Sequence, residues 1–501
     1  MNRRQIFRGA GGLLTALAGR LPLRGMPAPN IYQRIGVEPV INCKGTFTII
    51  SGSQTLPEVK RAMDEASRHY VHLDELMEAV GRRLAELTRA EWGIVTAGCA
   101  AALTHATAAC LAGANPERMQ RLPVLDGMRK KVVMPRESRN VYDHAIRMLG
   151  VRIVTVHSRE QYLDALDSDT AMVALLGDSM ARHPMPLEEM AQAAHARGIP
   201  LIVDAAAERL IIPDPYLSRG ADMTAYSGGK CLRGPQCAGL LLGRKDLLQA
   251  AWLNSAPHHA FGRSLKVGKE EIMGMLAAVE AWVARDHARE WKQWESWLAS
   301  IREKVETVPT VRTEVLQPAT PSNYAPQLRI SFDPARVGAT GEEIAGALLE
   351  GRPRLIVPAA EHSLTVMPYM MMPGEDRVAA ARIYEVLSNP PRRPAPRAGE
   401  GQPVSGEWDV EIRFVRGEAS HSLFLEERDG RIVGRHRGEL LSGEVRGSRE
   451  GGRVLLRSTH RYEGTALAYR FEGALEGAGM VGEVDLGEYG RARFTARRHW
   501  I

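Results

Sequence analysis

Lys230 stands behind two glycines in Tyr226-Ser-Gly-Gly-Lys-Cys-Leu-Arg-Gly-Pro-Gln236, with the hydroxyl of Ser227 three residues before it. The apolar run 238–242 that follows reads as a buried strand. Glycine lets a backbone come close to a flat ligand. Burial lowers a lysine pKa towards the range in which its free amine adds to a carbonyl as a Schiff base. Exposed loops use the same Gly-Gly-Lys pattern, so the lysine acquires meaning only with a partner. That partner is Asp204, which closes the apolar run Ile199-Pro-Leu-Ile-Val. An unpaired buried carboxylate is costly and needs a positive counterpart. A pyridinium nitrogen meets that need, and the charge-assisted bond contributes about 1.5–3 kcal/mol towards keeping the nitrogen protonated. Capping of the next helix is the competing use of Asp204. A third group is Thr96-Ala-Gly-Cys-Ala-Ala-Ala102, where a strand turns into a small-residue helix. The N–H groups of Ala97, Gly98, Cys99 and Ala100 suit a phosphate. Close packing of a helix on a sheet demands the same small residues.

These groups need elements that bring them together. From residue 130 onward, strands are expected at 131–134, 151–156, 171–176, 200–203 and 221–225. Helical segments lie between most of them, at 142–149, 159–166 and 187–197. The alternation predicts an α/β fold whose mainly parallel sheet carries helices on both faces. In such sheets ligands sit at the carboxyl ends of strands. Asp178, Asp204 and the 226–230 turn all fall at such ends. Earlier in the chain, residues 56–63 start a helix with Pro57 in its first turn, and 73–87 form a second helix.

Several of these stretches resemble a known family. They are Val203-Asp-Ala-Ala-Ala207, the 221–236 segment and Gly239-Leu-Leu-Leu-Gly-Arg-Lys-Asp246, with Gly262-Arg-Ser-Leu-Lys-Val-Gly-Lys-Glu-Glu-Ile272, Gly45-Thr-Phe-Thr48 and Asp74-Glu-Leu76. Together they look like the bacterial selenocysteine synthase (L-seryl-tRNA(Sec) selenium transferase)-like family, whose relatives include D-glucosaminate-6-phosphate ammonia-lyases. The resemblance spans roughly residues 31–388. It implies a fold-type I enzyme with pyridoxal 5'-phosphate as cofactor. Lys230 matches the Schiff-base lysine, which also carries the Cα proton, and Asp204 matches the partner of the pyridine nitrogen. Gly98, Cys99 and Ala100 match the phosphate turn, and Ser227 reaches the same phosphate. Cys99 stands where alanine or threonine is common, which leaves backbone donation intact and implies no catalytic thiol. Asp178 is a second cofactor-pocket candidate, or a helix cap.

Arg233 either pairs with phosphate or a substrate anion, or braces its own loop. The ring-covering residue comes from about 135–144, where Arg139, Asn140 and His144 are candidates and none is singled out. Arg263, with Lys266 and Lys269, either reads an anionic substrate or decorates a solvated helix start. Arg329 resembles the small-domain arginine that grips α-carboxylates. The implied reaction is an α,β-elimination of the ammonia-lyase type on an amino acid or amino sugar acid. Selenium transfer on a tRNA, transamination, aldol cleavage, racemisation and a non-catalytic scaffold stay open. The resemblance also implies at least a homodimer.

Length and composition set the frame. A chain of 501 residues exceeds one compact core and implies two to four domains. A net charge of +6 is small for that length, which argues against a dedicated nucleic-acid surface. The five cysteines include no CxxC pair, so neither a metal site nor a disulfide framework is expected. No apolar run reaches membrane-spanning length. Asn2-Arg-Arg-Gln-Ile-Phe-Arg8 resembles a twin-arginine export motif, which places the protein in the periplasm; a basic tail on a cytoplasmic protein is the alternative.

The expected division is a signal over 1–28, a large cofactor domain over 29–266, a small α+β domain over 267–388, a Pro/Arg-rich linker over 389–406 and a barrel-like domain over 407–501. Residues 270–305 read as one long helical region, whose tryptophans at 282, 291, 294 and 297 suit a core or dimer contact better than a cofactor box. Beyond residue 407 the period changes to two, and about eight short strands with glycine turns predict an antiparallel barrel or sandwich. His421, His436 and His460 alternate there with arginines and are not expected to form a ligand set.

Overall fold

The computed structural model describes residues 29–391 and 403–499. The twin-arginine segment and most of the linker lie outside them. The first large element is a seven-stranded sheet. Its strands run, edge to edge, as Trp92–Thr96, Gly239–Gly243, Met223–Ser227, Leu201–Asp204, Thr170–Leu176, Lys131–Pro135 and Arg152–Val156. The last five are parallel to one another, and the first two add antiparallel pairs at one edge. Strands such as Leu201–Asp204 are buried throughout, which explains their unbroken apolar runs. The helix Cys99–Ala112 packs across this sheet and is buried almost all round.

Glycine at 239 is a consequence of close approach. A Cβ there would stand 2.4 Å from the carbonyl carbon of Gly98. The strand Gly239–Gly243, second from that edge, therefore lies hard against the turn that opens the helix Cys99–Ala112.

A four-stranded antiparallel sheet follows, ordered Ala359–Ala360, Ser363–Val366, Gln327–Ser331 and Arg312–Leu316. The helices Gly341–Glu350 and Glu375–Ser388 complete this layer. The early strand Val40–Asn42 pairs in parallel with Arg354–Ile356, tying the start of the described chain to this layer. One hydrophobic core runs through both sheets, from Ile41 to Leu387.

The helical region read as 270–305 is two helices, Lys269–Ala284 and His287–Val305. Arg285 between them is extended, and the Asp286 side chain accepts from the Arg289 N–H at 2.9 Å. An aspartate that caps a new helix supplies the break.

The C-terminal part is a closed eight-stranded antiparallel barrel with its own core. Its strands are Gly406–Arg413, Glu418–Arg428, Arg431–Arg437, Ser442–Glu450, Arg453–Tyr462, Thr465–Glu476, Gly479–Asp485 and Arg491–Arg498. Inward residues alternate along Arg453–Tyr462, at Val454, Leu456, Ser458 and His460. Closure removes the open edges of an antiparallel sheet. Sequential strands connect up and down, so the turns after Arg413, Arg437, Tyr462 and Asp485 share one end.

Candidate active site

The strands Leu201–Asp204 and Met223–Ser227 are parallel neighbours, with Asp204 opposite Ala225. This register sets Asp204 and the Ser227–Lys230 turn at the same carboxyl edge. Two further bonds stitch the strand ends together: Ala205 N–H to Ala225 O at 2.9 Å and Ser227 N–H to Ala206 O at 3.2 Å. Asp204 is 6% exposed. Its Oδ1 accepts from the Ala206 N–H at 3.0 Å and from the Cys99 thiol at 3.6 Å.

Burial pushes the Asp204 carboxyl pKa up. The Ala206 bond, the Lys230 charge and the Cys99 thiol pull it back, and the Asp178 charge adds to the rise. Asp204, Lys230, Cys99 and Asp178 thus share one field at the sheet edge. Burial, with Asp204 adding to it, drives the Cys99 pKa well above its ordinary value, so the group stays a thiol and donates. That supporting bond to Asp204 is a role the sequence did not reveal.

The two glycines before Lys230 have a different reason from the one their pattern suggests. A Cβ on Gly228 would stand 2.6 Å from the Met275 sulfur, and one on Gly229 would stand 2.4 Å from the Gln236 side chain. Packing of the loop against its own neighbours excludes side chains there, and Lys230 itself stays half-buried. Gly98 caps the helix Cys99–Ala112 with φ 87° and ψ 164°. The first-turn N–H groups of a helix have no acceptor inside it and carry its positive dipole end.

The wall of the chamber facing Asp204 comes from the 139–143 turn. Asn140, Tyr142 and Asp143 line a small cavity together with Asp204. The Asn140 side chain accepts from the Tyr142 N–H at 2.7 Å and so fixes the turn. Arg139 is occupied by Asp143 and by the barrel residue Glu463. His144, the third ring-covering candidate, is exposed and does not line this cavity. Tyr142 was not singled out in the sequence. Burial and the Asp204 charge raise its phenol pKa, and it is the aromatic residue of this wall.

Residues 132–263 match the aminotransferase class-V family. The D-glucosaminate-6-phosphate ammonia lyase of Salmonella typhimurium is 28% identical over 377 residues, which is 72% of this chain and 99% of that protein. A solved structure of D-glucosaminate-6-phosphate ammonia-lyase superposes with a TM-score of 0.65 at 27% identity over the same shares. A 5'-C-glycyluridine monooxygenase-decarboxylase from a Streptomyces species is 28% identical over 71% of this chain and 92% of its own. An L-seryl-tRNA(Sec) selenium transferase of Hyphomonas neptunium is 27% identical over 56% of this chain and 62% of its own. The chain is a fold-type I pyridoxal-phosphate enzyme.

The residues present fit that cofactor. Asp204 is a buried carboxylate whose raised pKa calls for a nearby cation, which a protonated pyridine nitrogen provides. Cys99 and Ala100 offer first-turn N–H groups to a phosphate, Gly98 gives the turn its positive φ, and Ser227 ends the neighbouring strand. Lys230 lies close enough to both Asp204 and Cys99 to act on their charge.

Beside the lysine loop this pyridoxal-phosphate enzyme has a second, larger cleft. Arg209, Arg233 and Arg285 line it, with Tyr324, Tyr369 and three of the tryptophans. Arg209 lies 4.8 Å over the Tyr324 ring and Arg285 lies 5.0 Å over the Trp282 ring. Arg285 Nη2 and the Tyr369 hydroxyl are buried without a hydrogen-bond partner. Glu290 stands 3.8 Å from Arg285 as a countercharge. Burial and the Arg285 charge lower the Arg233 pKa. Arg233 also braces its loop through Gln54 O at 3.2 Å, with φ at 53°. Arg209 and Arg285 come from separate elements, and no spacing in the sequence links them to Arg233.

Other candidates stand apart. Arg263 is exposed on the loop after the helix Lys245–Leu253 and lines neither cavity. Arg329 is on the exposed face of its strand, 3.4 Å from Glu314 on the neighbouring strand. Glu208, not singled out before, accepts from the Tyr216 hydroxyl at 2.6 Å, and burial pushes its pKa up to about 8. In the barrel His421, His436 and His460 do come together, with ring centroids 4.3–6.4 Å apart. His421 Nδ1 and His436 Nε2 are 2.8 Å apart. Among the described residues, no group of three or more side chains is arranged to hold a metal ion. No described helix is long and apolar enough to cross a membrane.

Proposed function

We propose that the enzyme eliminates a β-substituent from an amino acid or amino sugar acid that carries a second anionic group. The observation that carries this reading is the pairing of the Asp204–Lys230 edge with the three-arginine cleft beside the same loop. Bound here, pyridoxal 5'-phosphate supplies an electron sink for the pair left when a Cα proton departs. Asp204 holds a proton at the ring nitrogen, with the Cys99 thiol steadying its Oδ1. Cys99 and Ala100 N–H groups and the Ser227 hydroxyl hold the phosphate. Lys230 Nζ takes the Cα proton and returns one to the product. The substituent leaves Cβ with its bonding pair. The enamine released takes up water to give a 2-oxo acid and ammonia. Arg209, Arg233 and Arg285 hold the distal carboxylate or phosphate, as planar donors that match both oxyanions.

The ammonia lyase supports this reading through its alignment over nearly its whole length. A tRNA-dependent selenium transfer draws on the weaker, shorter match. The protein is expected to turn yellow with added pyridoxal 5'-phosphate, and borohydride is expected to fix the label at Lys230. Ammonia and 2-oxo acid should then form from a panel of 2-amino acids with phosphate or carboxylate tails. A colourless protein that takes up no cofactor sinks the enzyme reading. Cofactor uptake without ammonia release from any panel member sinks elimination.

We further propose a homodimer and export of the folded protein by the twin-arginine route. Sedimentation at micromolar concentration tests the first, with a monomer counting against it. Secretion of a reporter fusion with Arg3 and Arg4 changed to Lys tests the second, and undiminished export counts against it.

A further inference from the structure

The barrel reaches the wall of the cofactor chamber. The hairpin tip at 462–465 lies at the shared end of the barrel and meets the 139–143 turn. The Glu463 carboxylate pairs with the Arg139 guanidinium, whose Nε also donates to Asp143 Oδ2 at 2.7 Å. Arg147 donates to the other oxygen of the buried Asp143 at 3.1 Å and lies 5.7 Å from the centre of the Tyr462 ring. Gly464 rests on the backbone of Asn140: a Cβ at 464 would stand 2.0 Å from the Asn140 oxygen and 2.7 Å from its nitrogen. Asn140, Tyr142 and Asp143 line the chamber with Asp204 on their other side. The turn Gly487–Tyr489 is at the same barrel end, and the Glu488 charge adds to the rise in the Tyr142 pKa.

Two independent contacts, an ion pair and a flat backbone seat, therefore hold the chamber wall from outside. The ammonia-lyase alignment uses 99% of that protein and only 72% of this chain. More than a quarter of this chain therefore lies outside that alignment.

We propose that the barrel is a working part of the active-site wall, with Glu463 and Gly464 as positioning residues that set Asn140 and Tyr142 against the cofactor. This rests on the reading of the chamber as the cofactor site. Full-length Glu463→Gln and Gly464→Val are compared with the parent by three measurements. They are hydrogen–deuterium exchange of segment 139–147 without cofactor, the dissociation constant for pyridoxal 5'-phosphate, and KM and kcat.

Gly464→Val is expected to speed exchange in 139–147 and weaken cofactor binding by about tenfold or more, because overpacked contacts must separate. Glu463→Gln is expected to shift both by about fivefold or less, the scale of a partly exposed ion pair. An Arg139→Gln, Glu463→Gln cycle should show that the two changes are not additive. The barrel's own amide protection and melting should match the parent in Glu463→Gln, which covers the case in which Gly464→Val fails to fold. Faster exchange with parent-like cofactor affinity and KM overturns the proposal, because the contact is then only a brace. Unchanged exchange overturns it as well. A parent protein that binds no cofactor points instead to failure of the functional reading, and the exchange data still report whether the barrel holds the turn.

Discussion

The sheet edge and the barrel interior both bury titratable groups, and they do so to opposite effect. At the sheet edge the groups are acids, and burial raises the pKa of Asp204 and Glu208. In the barrel they are imidazoles, and burial lowers His421 to about 4 and His436 to about 2. One cause, loss of water around the charged form, favours the neutral species in both places. The difference lies in the neighbours. Asp204 has Lys230, a helix N-terminus and a chamber beside it, so its charge can be recovered by a bound cation. The histidines have mainly one another, and a second positive ring makes protonation harder. Perturbed groups mark chemistry only where the fold also offers a partner and an opening.

The sharpest test of that contrast is Lys230→Ala. Turnover and borohydride labelling should vanish while barrel melting stays as in the parent; residual turnover near the parent's would place the chemistry elsewhere. Asp204→Asn comes next. Cofactor should still bind, and turnover should fall by about two to three orders of magnitude, the scale of losing one charge-stabilising partner. Near-parent turnover would contradict the role given to its carboxylate. Gly239→Ala should weaken cofactor binding by about tenfold or more, because the added methyl collides with Gly98. An unchanged dissociation constant would free the phosphate turn from the strand Gly239–Gly243.

The pH dependence separates the two regions by sign. The folded protein binds a proton at Glu208 between the carboxyl's ordinary value and about 8. Its contribution to stability therefore falls as pH rises through that window, by at most about 1.4 kcal/mol per unit, and Glu208→Gln should flatten the slope. The barrel histidines bind protons more readily when unfolded. Their part of the stability is lost as pH falls from about 6.5 towards 4, and urea melts followed by barrel-specific amide exchange should show it. Equal slopes in both regions would erase the contrast. The smallest effect belongs to Cys99→Ala, which should lower turnover less than tenfold, since one weak thiol bond is lost.

Much of the sheet edge was legible because parallel βα units put strand ends together whatever the sequence between them. Asp204 and Lys230 could be read from their strands, and the alternation after residue 407 gave away the barrel. Other features depended on packing that no spacing records. Arg209 and Arg285 join Arg233 only because the helix Lys269–Ala284 ends beside the lysine loop. The roles of Gly228 and Gly229 depend on Met275 and Gln236. The break at Asp286 lies inside a run whose composition stays helical. Inward alternation placed His421, His436 and His460 on strands, but their meeting depends on how the barrel closes.

The up-and-down course of the barrel divides its connections into two sets. The turns at 463–464 and 487–490 lie at the end that faces the chamber wall. Those at 429–430, 451–452 and 477–478 lie at the far end. Insertions differ in meaning accordingly. A fluorophore or surface anchor at Gly451 reports on the barrel as a body and leaves catalysis alone. The same graft at Gly464 separates the wall from its support. The barrel thus carries a built-in handle for immobilising or labelling the enzyme, opposite the end that its chemistry depends on.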